Sequence, residues 1–193
     1  MFTSADFISS FVSLTKDFVA DPTFKGVTCR LNTAGQVLDA NGLGCTTSTS
    51  TLWVVSAGGF NDQRITAMLK WLAPTASGSE EIGVMARFQT NEGSDATYYY
   101  ARVDGGVAKL TKVVDTTFTN LSTGAWSLPV DTFCTITLSV VGNALTATFH
   151  DETEVLPDLE LSATDSAITT GGLMGFRSLS STIACDSFTA EQL

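Results

Sequence analysis

Positive charge is scarce in this sequence. Ten Lys and Arg stand against twenty Asp and Glu, a formal net charge of −10, and no basic cluster occurs anywhere. A phosphate backbone or an anionic lipid surface would repel such a chain, which argues against nucleic-acid binding. Charged residues of both signs make up 16% of the chain, against roughly 25% in average soluble domains. Long apolar runs are missing as well. None approaches the roughly 20 residues that a membrane helix needs, so no membrane insertion is expected. The N-terminus lacks a basic segment ahead of an apolar one, and Asp6 sits where the basic residues should be. The expectation is synthesis in the cytoplasm without a signal peptide.

Reactive groups are equally sparse. The single histidine, His150, has no Ser, Cys or second His at a suggestive spacing, and there is no H-E-x-x-H motif or Gly-rich phosphate loop. The four cysteines, Cys29, Cys45, Cys134 and Cys185, show no C-x-x-C spacing and have no histidine nearby, so a zinc site is not expected. Cys134 and Cys185 read as small core residues. A Cys29–Cys45 bridge is allowed by spacing but is not expected in a reducing compartment.

What the chain has in excess is Ser and Thr, about a quarter of its 193 residues. Both favour strand surfaces and turns over long helices, which makes this an all-β composition. The clearest element runs from Thr135 to Phe149. Ile136, Leu138 and Val140 alternate with polar residues, Gly142-Asn143 makes a turn, and Leu145, Ala147 and Phe149 alternate again. Gly at the first position of a two-residue loop suits a type II′ turn. That register sets Val140 opposite Leu145, Leu138 opposite Ala147 and Ile136 opposite Phe149, with all six on one face. Further strands are predicted at Ile65–Trp71, Ile82–Gln89, Thr97–Val103 and Val107–Val113. Val84, Ala86 and Phe88 share one face there, as do Tyr99, Ala101 and Val103. Residues 1–13 differ. Phe7, Ile8, Phe11 and Val12 fall at helical spacing, and Ser4 or Asp6 could serve as an N-cap. We read 1–13 as an N-terminal apolar arm and 14–193 as one domain. A helix this short must dock to form. It could cover one end of its own sandwich; docked instead on a neighbouring copy or a larger assembly, Phe7, Ile8, Phe11 and Val12 would be its contacts and a homo-oligomer the expected state.

Three segments carry a resemblance: Val141-Gly142-Asn143-x-Leu145-x-Ala147, Gly172-x-x-Gly175-Phe176 and the closing Asp186-x-Phe188-x-x-Glu191. Together they resemble the concanavalin A-like lectin/glucanase superfamily, laminin-G-like jelly rolls included. The resemblance implies a two-sheet antiparallel jelly-roll sandwich over 14–193, with a strand near Asp17-Phe18 pairing with the closing strand. Fold alone does not assign an activity. Arg87, Tyr98, Tyr100 and Arg102 share one parity on two strands joined by the Asn91–Asp95 hairpin, and Arg177 joins them from the Gly-x-x-Gly-Phe strand. The resemblance implies that this is the concave face on which glycans lie. Tyr rings would stack on sugars and Arg would donate directed hydrogen bonds. The alternative is a solvated or interface sheet face that binds nothing.

Glycoside hydrolases of the superfamily set their carboxylates in a Glu-x-Asp-x-(x)-Glu strand. None of the seven glutamates here forms that motif, and Glu152 and Glu154 fall in a polar turn, so no enzyme is expected. Asn91, Asp95 and Asp104 offer oxygen ligands such as some laminin-G-like domains use for calcium. They lack a dense Asp/Asn loop, and no cofactor is expected. The sequence then leaves a non-catalytic virion or surface-assembly protein, such as a phage capsid decoration or tail accessory protein, with a lectin-like and glycan-adhesive jelly roll. Its partners would be capsid or other assembly proteins, and its place the virion surface. The alternative is a free-standing carbohydrate-binding lectin module.

Overall fold

A computed structural model describes residues 60–74, 80–90, 96–115, 117–179 and 181–193, together with the backbone of six short strands between residues 13 and 52. Strands are numbered in chain order. One sheet holds β1 (Ser13–Lys16), β2 (Thr28–Leu31), β3 (Val37–Asp39), β4 (Gly42–Leu43), β5 (Cys45–Thr46), β7 (Gln63–Pro74), β12 (Phe133–Val141), β13 (Ala144–Asp151), β14 (Leu159–Thr164) and β16 (Ser181–Gln192). The other holds β6 (Thr51–Leu52), β8 (Glu81–Thr90), β9 (Ala96–Asp104), β10 (Val107–Val114), β11 (Thr117–Ala125) and β15 (Leu173–Leu179). The first runs in the order β14-β13-β12-β7-β16-β5-β2-β3-β4 with β1 also on β16, and the second runs β11-β10-β9-β8-β15-β6. The pairings of β7, β12, β13 and β14, and those of β8 with β9 and β15, are all antiparallel. The chain crosses between the sheets repeatedly, so that β12 lies beside β7 and β15 beside β8. This is a jelly-roll sandwich, and no helix occurs among the described residues.

The central hairpin forms in the expected register, with Ile136 opposite Phe149, Leu138 opposite Ala147 and Val140 opposite Leu145. Gly142 has φ 57°, which a type II′ turn requires at its first position. The alternation seen in sequence is the alternation of burial. Ile136, Leu138, Val140, Leu145, Ala147 and Phe149 all lie in the core, alongside Ile65, Ala67, Leu69 and Trp71 of the neighbouring β7 and facing the inward side chains of the second sheet. The opposite face of the hairpin carries its Thr and Ser, and the Thr66 and Thr137 hydroxyls hydrogen-bond at 2.9 Å. Each large apolar side chain buried in this way stabilises the fold by about 1.5–3 kcal/mol.

At the chain start, β1 pairs with the closing strand, Lys16 opposite Phe188 and Ser13 opposite Glu191. The opening strand therefore sits just ahead of the expected Asp17-Phe18, and those two residues lie outside the described ones. So do Phe7, Ile8, Phe11, Val12, Asn91 and Asp95. Cys29 and Cys45 occupy partner positions on β2 and β5, and Cys134 is a buried free thiol.

The second sheet departs from simple alternation between β10 and β11 at Leu110/Thr111, and more consequentially in β8. Its register shifts between Ala86 and Gln89, and Arg87 there has φ 51°. The extra residue reverses the facing of the side chains after it. Ala86 stays with the core, whereas Phe88 turns outward to join Met85 and Tyr98. Alternation alone placed Phe88 with Val84 and Ala86, and put Arg87 on the face of Tyr98. A β-bulge explains both differences.

Candidate functional site

Tyr98, Tyr100, Arg102 and Arg177 do share one face of the second sheet, but that face is closed. Met85, Phe88, Tyr98, Tyr100 and Val113 form a second apolar cluster there. Tyr98 packs on Phe88 and Tyr100 with ring centroids 5.6 and 5.9 Å apart. Burying arginine charge requires counter-charge. Glu81 supplies it, accepting from Arg102 through one carboxylate oxygen and from Arg177 through the other. Asp104 takes a second bond from Arg102 at 3.0 Å and one from Lys109 at 2.7 Å. Tyr100 donates to the Arg177 carbonyl at 3.1 Å. Phe118 lies over both guanidinium groups, 5.3 Å from Arg102 Cζ and 5.4 Å from Arg177 Cζ, and is itself 41% exposed. Burial raises the Tyr98 and Tyr100 phenols above their ordinary pKa, with only partial relief from the neighbouring arginines. A sugar could reach these rings only after that packing opened.

Arg87 lies elsewhere, because of the bulge. Its guanidinium gathers three separate segments at the end of the sandwich where the Gly142-Asn143 turn lies. Nε donates to the Asn61 carbonyl at 2.8 Å, Nη1 to Ile168 at 2.6 Å and Nη2 to Gly142 at 2.7 Å. Gln63 stitches the same region from below. Its amide donates to the Phe60 and Gly172 carbonyls, and its Oε1 accepts the Arg87 N–H at 2.7 Å. Gly172 has to be glycine, since a Cβ would stand 2.4 Å from the Phe88 carbonyl oxygen. The segment after β14 is tied on its other side. Asp165 accepts from Lys112 Nζ at 2.7 Å and from the Tyr99 hydroxyl at 2.8 Å, and the Ile168 N–H donates to that hydroxyl at 3.2 Å. Burial pushes the Asp165 carboxyl up, but Lys112, the Ala167 N–H and Tyr99 together outweigh it and hold it below the usual range.

These ties frame a cleft of about 350 Å³ lined by Asn61, Asp62, Arg87, Gly142, Asn143, Ser166 and Thr169. Arg87, 2% exposed, is its floor. The rim differs. Asn61, Asn143, Ser166 and Thr169 are exposed, and the side chains of the last three make no hydrogen bond with any described residue. Asp62 Oδ1 accepts the Gly142 N–H at 2.7 Å and stands 3.7 Å from Arg87 Nη2. The result is a fixed frame carrying open hydroxyl and amide groups and a carboxylate bonded through one oxygen only, the groups that bind hydroxylated ligands. Sequence reasoning saw the Gly142-Asn143 turn but read it only as a turn. Asn61-Asp62 and the 165–172 segment were not singled out, although polar residues ahead of β7 and after β14 must meet that turn once β7 pairs with β12.

The remaining candidates are accounted for more simply. His150 Nδ1 pairs with Asp158 at 2.7 Å on the surface, and Glu152 and Glu154 are exposed, well away from the cleft lining. Asp104 is engaged by Arg102 and Lys109, and no group of three or more His, Cys, Asp or Glu suited to a metal occurs among the described residues.

No protein-family model matches the sequence, and no curated protein does. Solved structures do match. The carbohydrate binding module CBM66 from Bacillus subtilis superposes with a TM-score of 0.65 at 16% identity, covering 88% of this chain and 94% of that one. Lectin II from Ulex europaeus gives 0.62 at 10% identity, over 95% of this chain and 99% of its own. A protein of unknown function with a galectin-like fold from Bacillus subtilis gives 0.62 at 11%, over 93% and 89%. At such identities the shared property is the fold. The chain has the concanavalin A-like jelly roll that its closing motifs resemble.

Proposed function

We propose that the protein is a non-catalytic carbohydrate-binding domain of the lectin type, and that it holds one or two sugar units in the polar cleft beside the Gly142-Asn143 turn. The observation that carries this is the composition of the cleft on a prearranged frame. Unbonded amide and hydroxyl groups of Asn143, Ser166 and Thr169 surround a single carboxylate, Asp62. Glycoside hydrolysis needs two carboxyl groups flanking the bond, and among the described residues one, Asp62, lines this cleft. A volume of about 350 Å³ lies at the low end of the roughly 300–1,000 Å³ of small-molecule sites, which suits a short saccharide segment. The fold is shared with proteins named as lectins and a carbohydrate-binding module, which supports the same reading. The virion-assembly reading, the first one the sequence offered, drew on the arm at Phe7, Ile8, Phe11 and Val12, outside the described residues, and the fold neighbours support the lectin-module alternative better. A glycan array followed by calorimetry tests the proposal. We expect binding to at least one glycan class, lost in Asn143→Ala/Thr169→Ala, with no change in glycan mass after long incubation. Binding that survives the double substitution would move the site away from the cleft, and glycan cleavage would overturn the non-catalytic assignment.

A further inference from the structure

The cleft contains one positive and one negative side chain, and they are not equally available. Arg87 is buried. Three of its five N–H groups donate to the backbone carbonyls of Asn61, Ile168 and Gly142, and the side chain is 2% exposed. The two N–H groups that remain, one on each Nη, sit on a side chain with too little open surface to grip a carboxylate or sulfate as a fork. Asp62 is half engaged. Oδ1 is fixed by the Gly142 N–H at 2.7 Å and stands 3.7 Å from Arg87 Nη2, which together orient the carboxylate, while Oδ2 accepts nothing from the described residues. Among the described residues no other Lys, Arg or His lines the cleft.

Resting on the carbohydrate reading, we infer that the cleft selects neutral saccharides over acidic ones and that Asp62 is the residue that decides. A carboxylate oxygen held in place accepts from sugar hydroxyls in charge-assisted bonds, about twice as strong as neutral ones. The same charge, 40% exposed on the rim, meets a uronate, sialate or sulfate group with like-charge repulsion that the buried Arg87 guanidinium, 3.7 Å from Asp62 on the cleft floor, offsets only in part, on a chain whose net charge is already −10. The Gly142 amide, bonded to Asp62, is a reporter built into the site.

The test is an array carrying neutral glycans and matched glycans in which one unit bears a carboxylate or sulfate, with titration of the hits by calorimetry and by amide chemical shifts. Wild type should bind a neutral glycan at least roughly tenfold more tightly than its acidic match, and the Gly142 amide should move on binding. Asp62→Asn keeps the acceptor for the Gly142 N–H and should fold normally. It should weaken neutral binding by roughly tenfold and narrow the neutral-to-acidic ratio toward one. Ser166→Ala should lower both affinities and leave the ratio unchanged, which separates a residue that merely lines the cleft from the one that sets its preference. Acidic glycans bound as well as neutral ones, or a ratio unmoved by Asp62→Asn, would overturn the selectivity while leaving the carbohydrate reading intact. No binding of any glycan, neutral or acidic, would remove that reading and the selectivity with it.

Discussion

Two clusters of arginine and tyrosine lie on either side of the second sheet, and they end in opposite conditions. On the outer face, Arg102 and Arg177 share Glu81, stand against Tyr100 and lie under Phe118. On the other side Arg87 holds three carbonyls, and Tyr99 holds Asp165 and the Ile168 amide. Both sets are buried and hydrogen-bonded. The difference lies in what they support. The outer cluster pairs charge with charge and is packed shut, whereas Arg87, beside the half-exposed Asp62 at 3.7 Å, donates to backbone carbonyls of three segments and so fixes the frame of an open cleft. The residue types that suggested a glycan face are in both cases the support, and the groups free to bind are small polar residues on the rim.

The sharpest way to break this contrast is at Glu81. Glu81→Ala leaves two buried guanidinium groups without their shared carboxylate, and removal of one partner from a buried ion pair costs about 3–5 kcal/mol. The urea midpoint should fall accordingly while glycan binding by the folded protein stays as it was. A small shift would mean that the outer face is open enough for water to replace Glu81. Arg87→Lys comes next. A lysine ammonium is a compact charge and cannot reach three carbonyls with the geometry of a planar guanidinium. The carbonyls it abandons should cost about 1–3 kcal/mol. Here, unlike at Glu81, binding should fall along with stability, because the rim segments lose their common anchor. Unchanged affinity in Arg87→Lys would show that the rim keeps its shape without Arg87.

The tyrosines offer a milder test that leaves the sequence intact. The chain has three, Tyr98, Tyr99 and Tyr100. Burial raises all three phenols. Tyr99, with the Asp165 hydrogen bond adding to the effect of burial, is pushed up to about 12 from an ordinary 10.0. A folded state that raises an acid's pKa favours its neutral form. This stabilisation is whole below about pH 10 and is lost as pH rises from there toward the folded values. Ultraviolet titration should therefore show little phenolate at pH 10, then ionisation coincident with unfolding at higher pH. One or two tyrosines ionising normally at 10 in folded protein would mean that the outer face of Tyr98 and Tyr100 is open to solvent.

Much of this architecture was legible in the sequence because apolar side chains strictly alternate in β7, β12 and β13. A hairpin such as Val140–Leu145 has only one register that keeps all six apolar residues on one face. The inward set of Tyr99, Ala101 and Val103 came from the same period. What alternation cannot report is a place where it lapses. The bulge at Ala86–Gln89 adds one residue, turns Arg87 away from Tyr98 and sends Phe88 to the outer face, and no local motif announces it. Nor can parity say whether a face is covered. Tyr98, Tyr100, Arg102 and Arg177 share a face as expected, but their burial depends on Glu81 and Phe118, each brought there by a different strand. The cleft was hidden for a third reason. Its rim combines Asp62, Asn143 and Ser166, which lie more than a hundred positions apart at the extremes and meet only because β7 pairs with β12 and Asp165 bonds back to Asn143.

The smallest expected effect on stability is also the one that most directly probes the open side of the comparison. Ser166 is exposed, its hydroxyl makes no bond with any described residue, and its segment is held by its neighbours. Asp165 is bonded to Tyr99 and Lys112, and Ile168 to Arg87 and Tyr99. Ser166→Ala removes one oxygen from the cleft rim and disturbs none of those ties. Surface substitutions of this kind stay within about 0.5 kcal/mol in stability, so thermal and urea midpoints should match wild type. A hydroxyl that binds sugar contributes a neutral hydrogen bond worth about 0.5–1.5 kcal/mol, so the dissociation constant should rise by roughly two- to tenfold. The two readouts have to separate, with affinity falling while stability holds. If both fell together, Ser166 would belong to the frame, and the division between a rigid support and a free binding rim would fail at the residue where it is easiest to see.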